Sequence, residues 1–219
     1  MKGIWMMLAF MATAAFSMPA NSTEKQNKKT AGTHMEQTAK ENLSYATFGG
    51  GCFWCIEAIF SKIDGVQSAT SGFAGGDLPN PTYEQVTTGT TGHAEVVHIA
   101  FDPGRISYLK LLEVFFRVHD PTTLNRQGAD VGTQYRSVIF YHDEVQKKMA
   151  ENVKKGLDKE GIWHDPIVTE ITRLDTFYRA GDHHQNYFEK NPQQAYCQMV
   201  ILPKVEKFKK MFNELLNDR

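Results

Sequence analysis

The pattern of hydrophobic and polar positions divides residues 43–219 into segments with the two-residue period of strands and segments with the three- to four-residue period of helices. Alternating, β-branched and aromatic residues predict strands at 44–48, 66–73, 93–101, 136–141 and 167–174. Apolar residues at helical spacing predict helices in the runs 56–63, 83–88, 107–116, 143–157, 182–187 and 203–216. Strands that alternate with helices predict an α+β or α/β sandwich in which helices pack on a sheet, with the strand order left open.

The first 20 residues have the order of a secretory signal. Lys2 precedes an apolar run from Ile4 to Phe16, and small residues follow, among them Ser17 and Ala20. Such a run is shorter than the roughly 20 apolar residues that span a membrane. We therefore expect residues 1–20 to be a signal peptide, cleaved after Ser17 or Ala20, and the protein to be periplasmic or secreted.

Residues 21–42 are rich in Asn, Thr, Lys, Gln and Glu and hold almost nothing to bury, which predicts a flexible polar linker. One folded domain is expected at 43–219. Its charges are balanced, with 24 Lys and Arg against 25 Asp and Glu, so the composition gives no indication of a nucleic-acid partner. Three cysteines in an oxidising compartment leave at least one thiol that is reactive or transiently paired, which favours redox chemistry.

Cys52 follows three glycines and precedes the first predicted helix. Unpaired N–H groups at a helix N-terminus favour a thiolate, and such sites lower a cysteine pKa from about 8.5 to roughly 3.5 to 7.5. We therefore expect a nucleophilic Cys52. The alternative is a structural role, since free cysteine is also a small buried hydrophobe.

Four other side chains are candidates for chemistry. Glu95 lies among apolar neighbours in a predicted strand, where burial would raise its pKa and make it a proton donor near neutral pH. The alternative, which the pattern alone favours, is a Glu on the polar face of a half-buried strand. Asp130 and Tyr135 lie in a polar loop that could orient a substrate or could be a hydrated turn. Tyr83 is by type more often a packed aromatic than a catalytic group.

A zinc site is disfavoured by the spacing of its candidate ligands. The adjacent His183 and His184 point to different sides of a helix, and Cys52-x-x-Cys55 lacks a second ligand pair; Cys197 alone does not supply one.

Four ordered motifs, Gly51-Cys52-Phe53-Trp54, Asn80-Pro81-Thr82-Tyr83, Gly92-His93-Ala94-Glu95 and Gly132-Thr133-Gln134-Tyr135-Arg136-Ser137, resemble those of the A-type peptide methionine sulfoxide reductases. The resemblance extends from about residue 45 to about residue 210. It implies a ferredoxin-like α+β two-layer sandwich with a mixed sheet. It also implies reduction of methionine S-sulfoxide, in proteins and as the free amino acid.

The resemblance further implies a role for each candidate. Cys52 would attack the sulfoxide sulfur, and Glu95 would protonate the oxygen, which leaves poorly until it is protonated. The oxygen would accept hydrogen bonds from Tyr83 and Tyr135, with Asp130 in support. Apolar side chains would hold the methyl group, and the resemblance assigns this contact to Phe53 and Trp54.

Attack would leave Cys52 as a sulfenic acid, which a second thiol must resolve. The resemblance points to Cys197, which follows a predicted helix break on a tail expected to be flexible enough to reach Cys52. Cys55 is the alternative, and it stands where the family more often has glycine. Cys197 is favoured because a bond between Cys52 and Cys55 would distort the helix.

The sequence contains no flavin, nicotinamide or metal motif, so the resemblance implies that thioredoxin or a thioredoxin-like dithiol protein supplies the electrons, with no cofactor. It implies oxidised proteins or peptides as substrates. We expect no nucleic-acid partner, no stable membrane insertion after signal cleavage, and a monomer. Two other interpretations remain open. The chain could be a general C-x-x-C thiol-disulfide oxidoreductase, or an exported binding module with a structural cysteine.

Overall fold

A computed structural model describes residues 42–217 of the chain. The predicted signal peptide at 1–20 and all but the last residue of the predicted linker at 21–42 lie outside the described residues. Among the residues described, no helix is both long and apolar enough to cross a membrane.

The domain is built on a six-stranded mixed sheet in the order β7-β6-β1-β3-β2-β8, in which only β6 and β7 run parallel. Its strands are β1 (Ser44–Gly50), β2 (Val66–Ala74), β3 (Ala94–Phe101), β6 (Ser137–Tyr141), β7 (Glu170–Arg173) and β8 (Phe177–Arg179). A separate two-stranded hairpin consists of β4 (Arg126–Gln127) and β5 (Asp130–Val131).

The α-helices are α1 (Phe53–Phe60), α2 (Tyr83–Thr87), α3 (Tyr108–Val118), α4 (Glu144–Glu160), α5 (Tyr187–Lys190) and α6 (Leu202–Met211). A π-helical segment, Cys197–Ile201, precedes α6. Three 3-10 turns complete the described structure: Thr133–Tyr135, Asp182–His184 and Asn213–Leu215. Strands β1, β2, β3 and β6 with helices α1 and α3 follow the β-α-β-β-α-β order of ferredoxin-like domains. The predicted α+β fold with helices packed on a mixed sheet is therefore confirmed.

The principal core lies between the sheet and helices α1 and α3. The Phe48 ring of β1 stacks on Phe115 of α3 with centroids 4.9 Å apart, and it also contacts Phe60 of α1 at 5.6 Å. Because Phe48 ends the apolar part of β1 immediately before the glycine turn, this packing fixes where α1 begins. The core thus anchors both sides of the turn that presents Cys52.

The structure corrects three predictions of secondary structure. The helix expected at 182–187 is wrong, because Asn186 adopts a left-handed backbone conformation (φ 53°) that separates a 3-10 turn from α5. Strand β8 was not expected, since three residues are too few to show a period. The helix expected at 203–216 ends at Met211, because Phe212 leaves the helical conformation (φ −134°, ψ 42°).

Candidate active site

The glycine turn between β1 and α1 places Cys52 immediately before the first residue of the helix, Phe53. Gly51 has φ +91°, and a Cβ atom there would lie 2.6 Å from Cβ and Cγ of Gln127, so only glycine fits. Cys52 is the N-cap residue of α1, and its carbonyl oxygen accepts a hydrogen bond from the Cys55 N–H at 3.1 Å. The sequence order of strand, glycine turn and helix therefore places the thiol as predicted.

The expected low pKa of Cys52 is wrong for this structure. The residue is only 7% exposed, and burial raises the pKa of its thiol well above the ordinary value. The neighbouring Cys55 and the charge of Glu95 raise the pKa further, and the backbone N–H of Trp54 alone acts against them. The helix N-terminus thus stabilises the thiolate, but removal from water has the larger effect.

Cys55 is fully buried one helical turn further along. Its pKa is lowered to about 7, chiefly by a hydrogen bond from the side chain of Cys52 and despite the opposing effect of burial. The Tyr196 hydroxyl lies 4.0 Å from its sulfur atom. Cys52 and Cys55 therefore form an interacting pair of thiols in which the second loses its proton more easily.

Glu95 lies on β3 with its carboxyl group directly beside the start of α1. The backbone N–H of Phe53, the residue after Cys52, donates to Glu95 Oε2 at 3.0 Å. Burial raises the pKa of Glu95 to about 8, although the hydrogen bond from Phe53 opposes the shift. The acid is therefore mostly protonated at neutral pH and can donate its proton next to the thiol. Of the two interpretations of Glu95 left open by the strand pattern, the structure has the buried acid, not the polar face that the pattern alone favoured.

Tyr83 and Tyr135 lie close enough to this acid for its charge to affect both phenols. Burial raises the pKa of Tyr83, and the charge of Glu95 is the second cause of the shift. The same two causes raise the pKa of Tyr135 to about 12. The charges of Cys52 and Asp130 act on both phenols too. Two O–H donors therefore stay protonated beside the thiol and the carboxylic acid.

Asp130 is tied to a residue that the sequence analysis did not select. Its Oδ2 atom accepts a hydrogen bond from the Tyr196 hydroxyl at 2.7 Å, and the same hydroxyl faces Cys55. The pKa of Tyr196 is raised, with burial the largest cause, so it too remains a donor. Asp130 and Tyr196 are 66 residues apart in the sequence, and only the fold brings them together.

Phe53 and Trp54 differ in what they contact. Phe53 is buried in the core, where its ring packs on Phe73 at 5.7 Å. Trp54 is partly exposed and stacks on Tyr187 with ring centroids 3.8 Å apart and planes at 9°. His184 stacks on the Trp54 ring as well, at 5.7 Å. We call Trp54, His184 and Tyr187 the aromatic wall; Trp54 is its only member selected from sequence as a substrate contact.

Cys197 does not lie on a flexible tail. It is fully buried in the π-helical segment, and burial raises the pKa of its thiol, with the charge of Cys55 as the second cause. All three cysteines are free thiols. The expectation of a flexible tail at Cys197 is therefore wrong, because the residue lies in an ordered helical segment.

No three His, Cys, Asp or Glu side chains converge within residues 42–217 in a way that could hold a metal ion.

Comparison with known proteins gives a consistent result. The family model described as Peptide methionine sulfoxide reductase matches residues 44–216. The Peptide methionine sulfoxide reductase MsrA of Natronomonas pharaonis is 59% identical over 174 residues, which are 80% of this chain and 98% of that protein. The protein of the same name from Nautilia profundicola is 58% identical over 169 residues, 77% of this chain and 96% of its own.

Solved structures with the same fold agree. The crystal structure of Mxr1 from Saccharomyces cerevisiae in reduced form superposes with a TM-score of 0.65 at 35% identity, covering 72% of this chain and 90% of that one. Methionine sulfoxide reductase A of Corynebacterium diphtheriae has a TM-score of 0.63 at 36% identity, covering 70% of this chain and 77% of that one.

Proposed function

The chain belongs to the peptide methionine sulfoxide reductase family, and from this premise we propose that Cys52 and Glu95 together move the oxygen of a methionine sulfoxide onto the Cys52 sulfur. The chain is an oxidoreductase that returns methionine S-sulfoxide to methionine. The observation that carries the proposed roles is the 3.0 Å hydrogen bond from the Phe53 N–H to Glu95, which holds a protonated acid beside the nucleophile.

The oxygen transfer balances without any other reactant. The Cys52 sulfur forms a bond to the sulfoxide sulfur while Glu95 gives its proton to the oxygen, and the Cys52 thiol proton passes to the Glu95 carboxylate. The hydroxyl group then moves to Cys52: the substrate S–O bond and the new sulfur–sulfur bond break, and a Cys52 S–O bond forms. Methionine leaves with its sulfur reduced by two electrons, and Cys52 becomes a sulfenic acid. Because thiol and acid are both protonated in the free site, each holds the proton that this exchange requires.

The surrounding side chains fit the remaining needs of the reaction. Tyr83 and Tyr135 donate hydrogen bonds to the sulfoxide oxygen as its negative charge increases. Asp130 supports the site by accepting a hydrogen bond from the Tyr196 hydroxyl, which lies 4.0 Å from the Cys55 sulfur. Trp54 offers an apolar surface to the methyl group, whereas Phe53 supports that surface from the core. Oxygen donors on one side and an apolar surface on the other select one sulfoxide epimer, the S form.

The direct test is a racemic methionine sulfoxide peptide incubated with the protein and dithiothreitol, with the two epimers resolved by chromatography. The proposal predicts loss of the S epimer alone. Consumption of neither epimer, or of both at equal rates, would contradict it.

The sulfenic acid is resolved by a second thiol, which condenses with it to a disulfide and releases water. We assign this step to Cys197, with Cys55 as the alternative; both are free, buried thiols in the structure. A thioredoxin-like dithiol protein then reduces the disulfide and supplies both electrons, so the cycle as written needs no cofactor. We propose oxidised proteins and peptides as substrates and a monomeric enzyme.

Replacement of Cys197 by Ser is expected to leave one turnover and block the next with a thioredoxin-type reductant. The variant should convert about one equivalent of S-sulfoxide per protein, because the sulfenic acid forms but no disulfide follows. Quenched-flow measurement of methionine formed per enzyme tests this, with Cys55→Ser as the matched variant. Continuous turnover by Cys197→Ser, together with arrest of Cys55→Ser, would move the resolving role to Cys55.

We further propose that the protein acts outside the cytoplasm, as a periplasmic or secreted enzyme, after removal of residues 1–20. The support is the order of Lys2, apolar run and small residues in the sequence. Mass spectrometry of the exported protein should find an N-terminus that starts after Ser17 or Ala20. An exported protein that still begins at Met1 would refute cleavage.

A further inference from the structure

The 3-10 turn that carries Tyr135 is followed at once by a charged side chain that the reaction above does not use. The Arg136 side chain is only 11% exposed, although its guanidinium is always charged. Its Nη1 atom donates to the Thr133 carbonyl oxygen at 3.0 Å, and its Nη2 atom donates to the Gly92 carbonyl oxygen at 3.1 Å. Removing a charge from water costs free energy unless its donors find partners. Arg136 therefore uses its donors to join two segments of backbone.

Both segments lead directly to residues of the candidate active site. Thr133 opens the turn that ends with Tyr135, and the Arg136 backbone N–H also donates to the Thr133 carbonyl oxygen, at 3.3 Å. Gly92, with φ +74°, lies three residues before Glu95, where the chain enters β3. The turn itself packs against β3. The two carbonyl oxygens that Arg136 bridges therefore belong to the segments that present the phenol of Tyr135 and the carboxyl group of Glu95.

The rest of the turn is tied to the end of helix α2. The Thr133 hydroxyl donates to the Gly89 carbonyl oxygen at 2.9 Å, and the Gln134 side-chain amide donates to the Thr87 carbonyl oxygen at 3.4 Å. Helix α2 begins with Tyr83, the other phenol of the site. These bonds link helix α2 to the turn without the guanidinium, so the separate contribution of the guanidinium is the link to β3.

The third contact of the guanidinium lies at the protein surface. Arg136 Nε donates to Glu170 Oε2 at 3.1 Å, and the Glu170 side chain, on β7, is half exposed. Exposed ion pairs contribute little to stability, because water competes for both charges. The three donors of Arg136 thus reach three different segments, which suits a planar guanidinium with donors in fixed directions and does not suit a single ammonium group.

We propose that Arg136 is a positioning residue of the reductase, which holds the phenol of Tyr135 and the carboxyl group of Glu95 at one sulfoxide oxygen. The inference rests on the proposed function, because the two groups need a common target only if a sulfoxide is reduced. Arg136 acts through the backbone and does not touch the substrate. The hydrogen bond from Tyr135 strengthens as negative charge increases on the oxygen in the transition state, so the effect of Arg136 falls on kcat.

The variant that tests the inference is Arg136→Met, which keeps a long side chain but donates no side-chain hydrogen bond. The kcat for a methionine S-sulfoxide peptide should fall about 10- to 100-fold, the scale of a misplaced group in an active site. KM should change less than about threefold, because the aromatic wall is left unchanged. Arg136→Lys should restore little of the lost rate, since one ammonium does not reproduce the separate directions of the guanidinium donors.

A double-mutant cycle identifies the group through which Arg136 acts. Glu95 is also held by the Phe53 N–H, so Tyr135 is the group that moves when the bridge is lost. In the background of Tyr135→Phe, Arg136→Met should lower kcat by less than about threefold further, because the phenol that it positions is already absent. In the background of Tyr83→Phe it should keep its full effect. A general structural role would lower kcat equally in both backgrounds.

The matched control is Arg105→Met, which removes an arginine that pairs with Asp64 at the surface. Its kcat and KM should equal those of the wild type. Glu170→Gln removes the charge of the third partner but keeps an oxygen for Arg136 Nε. Its kcat should also be unchanged, because the bridge between the two carbonyl oxygens persists.

A second readout does not depend on turnover. Hydrogen exchange of the backbone amides at 89–95, followed by mass spectrometry, should become faster in Arg136→Met and stay unchanged in Arg105→Met. Faster exchange there without any sulfoxide reduction by the wild type would support the bridge and refute the proposed function instead. Unchanged kcat or exchange in Arg136→Met, equal loss of kcat in both tyrosine backgrounds, full recovery in Arg136→Lys, or failure of both Arg136 variants to fold would each overturn the inference.

Discussion

Replacement of Cys52 by Ser is expected to lower the rate of S-sulfoxide reduction by about 10⁴-fold or more, since a hydroxyl of ordinary pKa cannot attack the sulfoxide sulfur. The change is nearly isosteric, and the N-cap position of α1 accepts Ser readily, so the fold should be retained. The measurement is methionine formed per protein from an excess of sulfoxide peptide without any added reductant. Without recycling, a variant that keeps the nucleophile stops after about one equivalent.

The comparison variant for this prediction is Cys197→Ser, which loses a different thiol and keeps Cys52. It should form about one equivalent of methionine, whereas Cys52→Ser should form essentially none. Circular dichroism should show both variants folded. Reduction by Cys52→Ser at the wild-type rate would exclude Cys52 as the nucleophile. It would favour Cys55, the thiol of the pair with the lower pKa.

Replacement of Glu95 by Gln should lower kcat by about 10²- to 10⁴-fold, the usual contribution of a positioned general acid. The amide oxygen still accepts the hydrogen bond from the Phe53 N–H, so the site keeps its shape while it loses its proton donor. Glu113→Gln is the control, because Glu113 is exposed on helix α3 and only pairs with Lys110. Its kcat should be unchanged.

The pH dependence gives a second signature of Glu95. An acid catalyst works in its protonated form, so wild-type kcat should hold below pH 8 and fall as the pH rises through the raised pKa of about 8. An acid at its ordinary pKa would already have lost the proton well below neutral pH. The Gln variant should lack the fall near pH 8. A wild-type profile that rises through pH 8, or a Gln variant with full activity, would refute the acid role and favour the thiol-disulfide interpretation.

Local sequence was sufficient for the parts of the fold that have strong periods or special turns. Helix α4 begins where the sequence predicts, with Asp143 accepting a hydrogen bond from the Gln146 N–H; it continues past the predicted end at 157 to Glu160 and stops at the left-handed Gly161. Helix α3 likewise begins at Ser107. These helix ends are formed by residues only a few positions apart, so they can be predicted from the local sequence.

Tertiary contacts determine the features of the active site that the local sequence does not predict. The helix N-terminus at Cys52 was predictable, but the depth at which the core buries its sulfur was not, and burial reverses the expected pKa shift. The strand pattern alone favoured an exposed Glu95, and the family resemblance rather than the periodicity identified it as the acid. Tyr187 and Tyr196 escaped selection because their importance comes from packing against Trp54 and from the hydrogen bond to Asp130.

The most direct test of the central claim follows the oxygen atom itself. A variant with Cys55→Ser and Cys197→Ser, which retains Cys52 alone, would be mixed with one equivalent of racemic sulfoxide peptide that carries a heavy oxygen isotope. Mass spectrometry after trapping of the sulfenic acid should find the heavy oxygen on Cys52, formed at the expense of the S epimer only. Methionine formed without transfer of heavy oxygen to Cys52, or no methionine at all, would contradict the account.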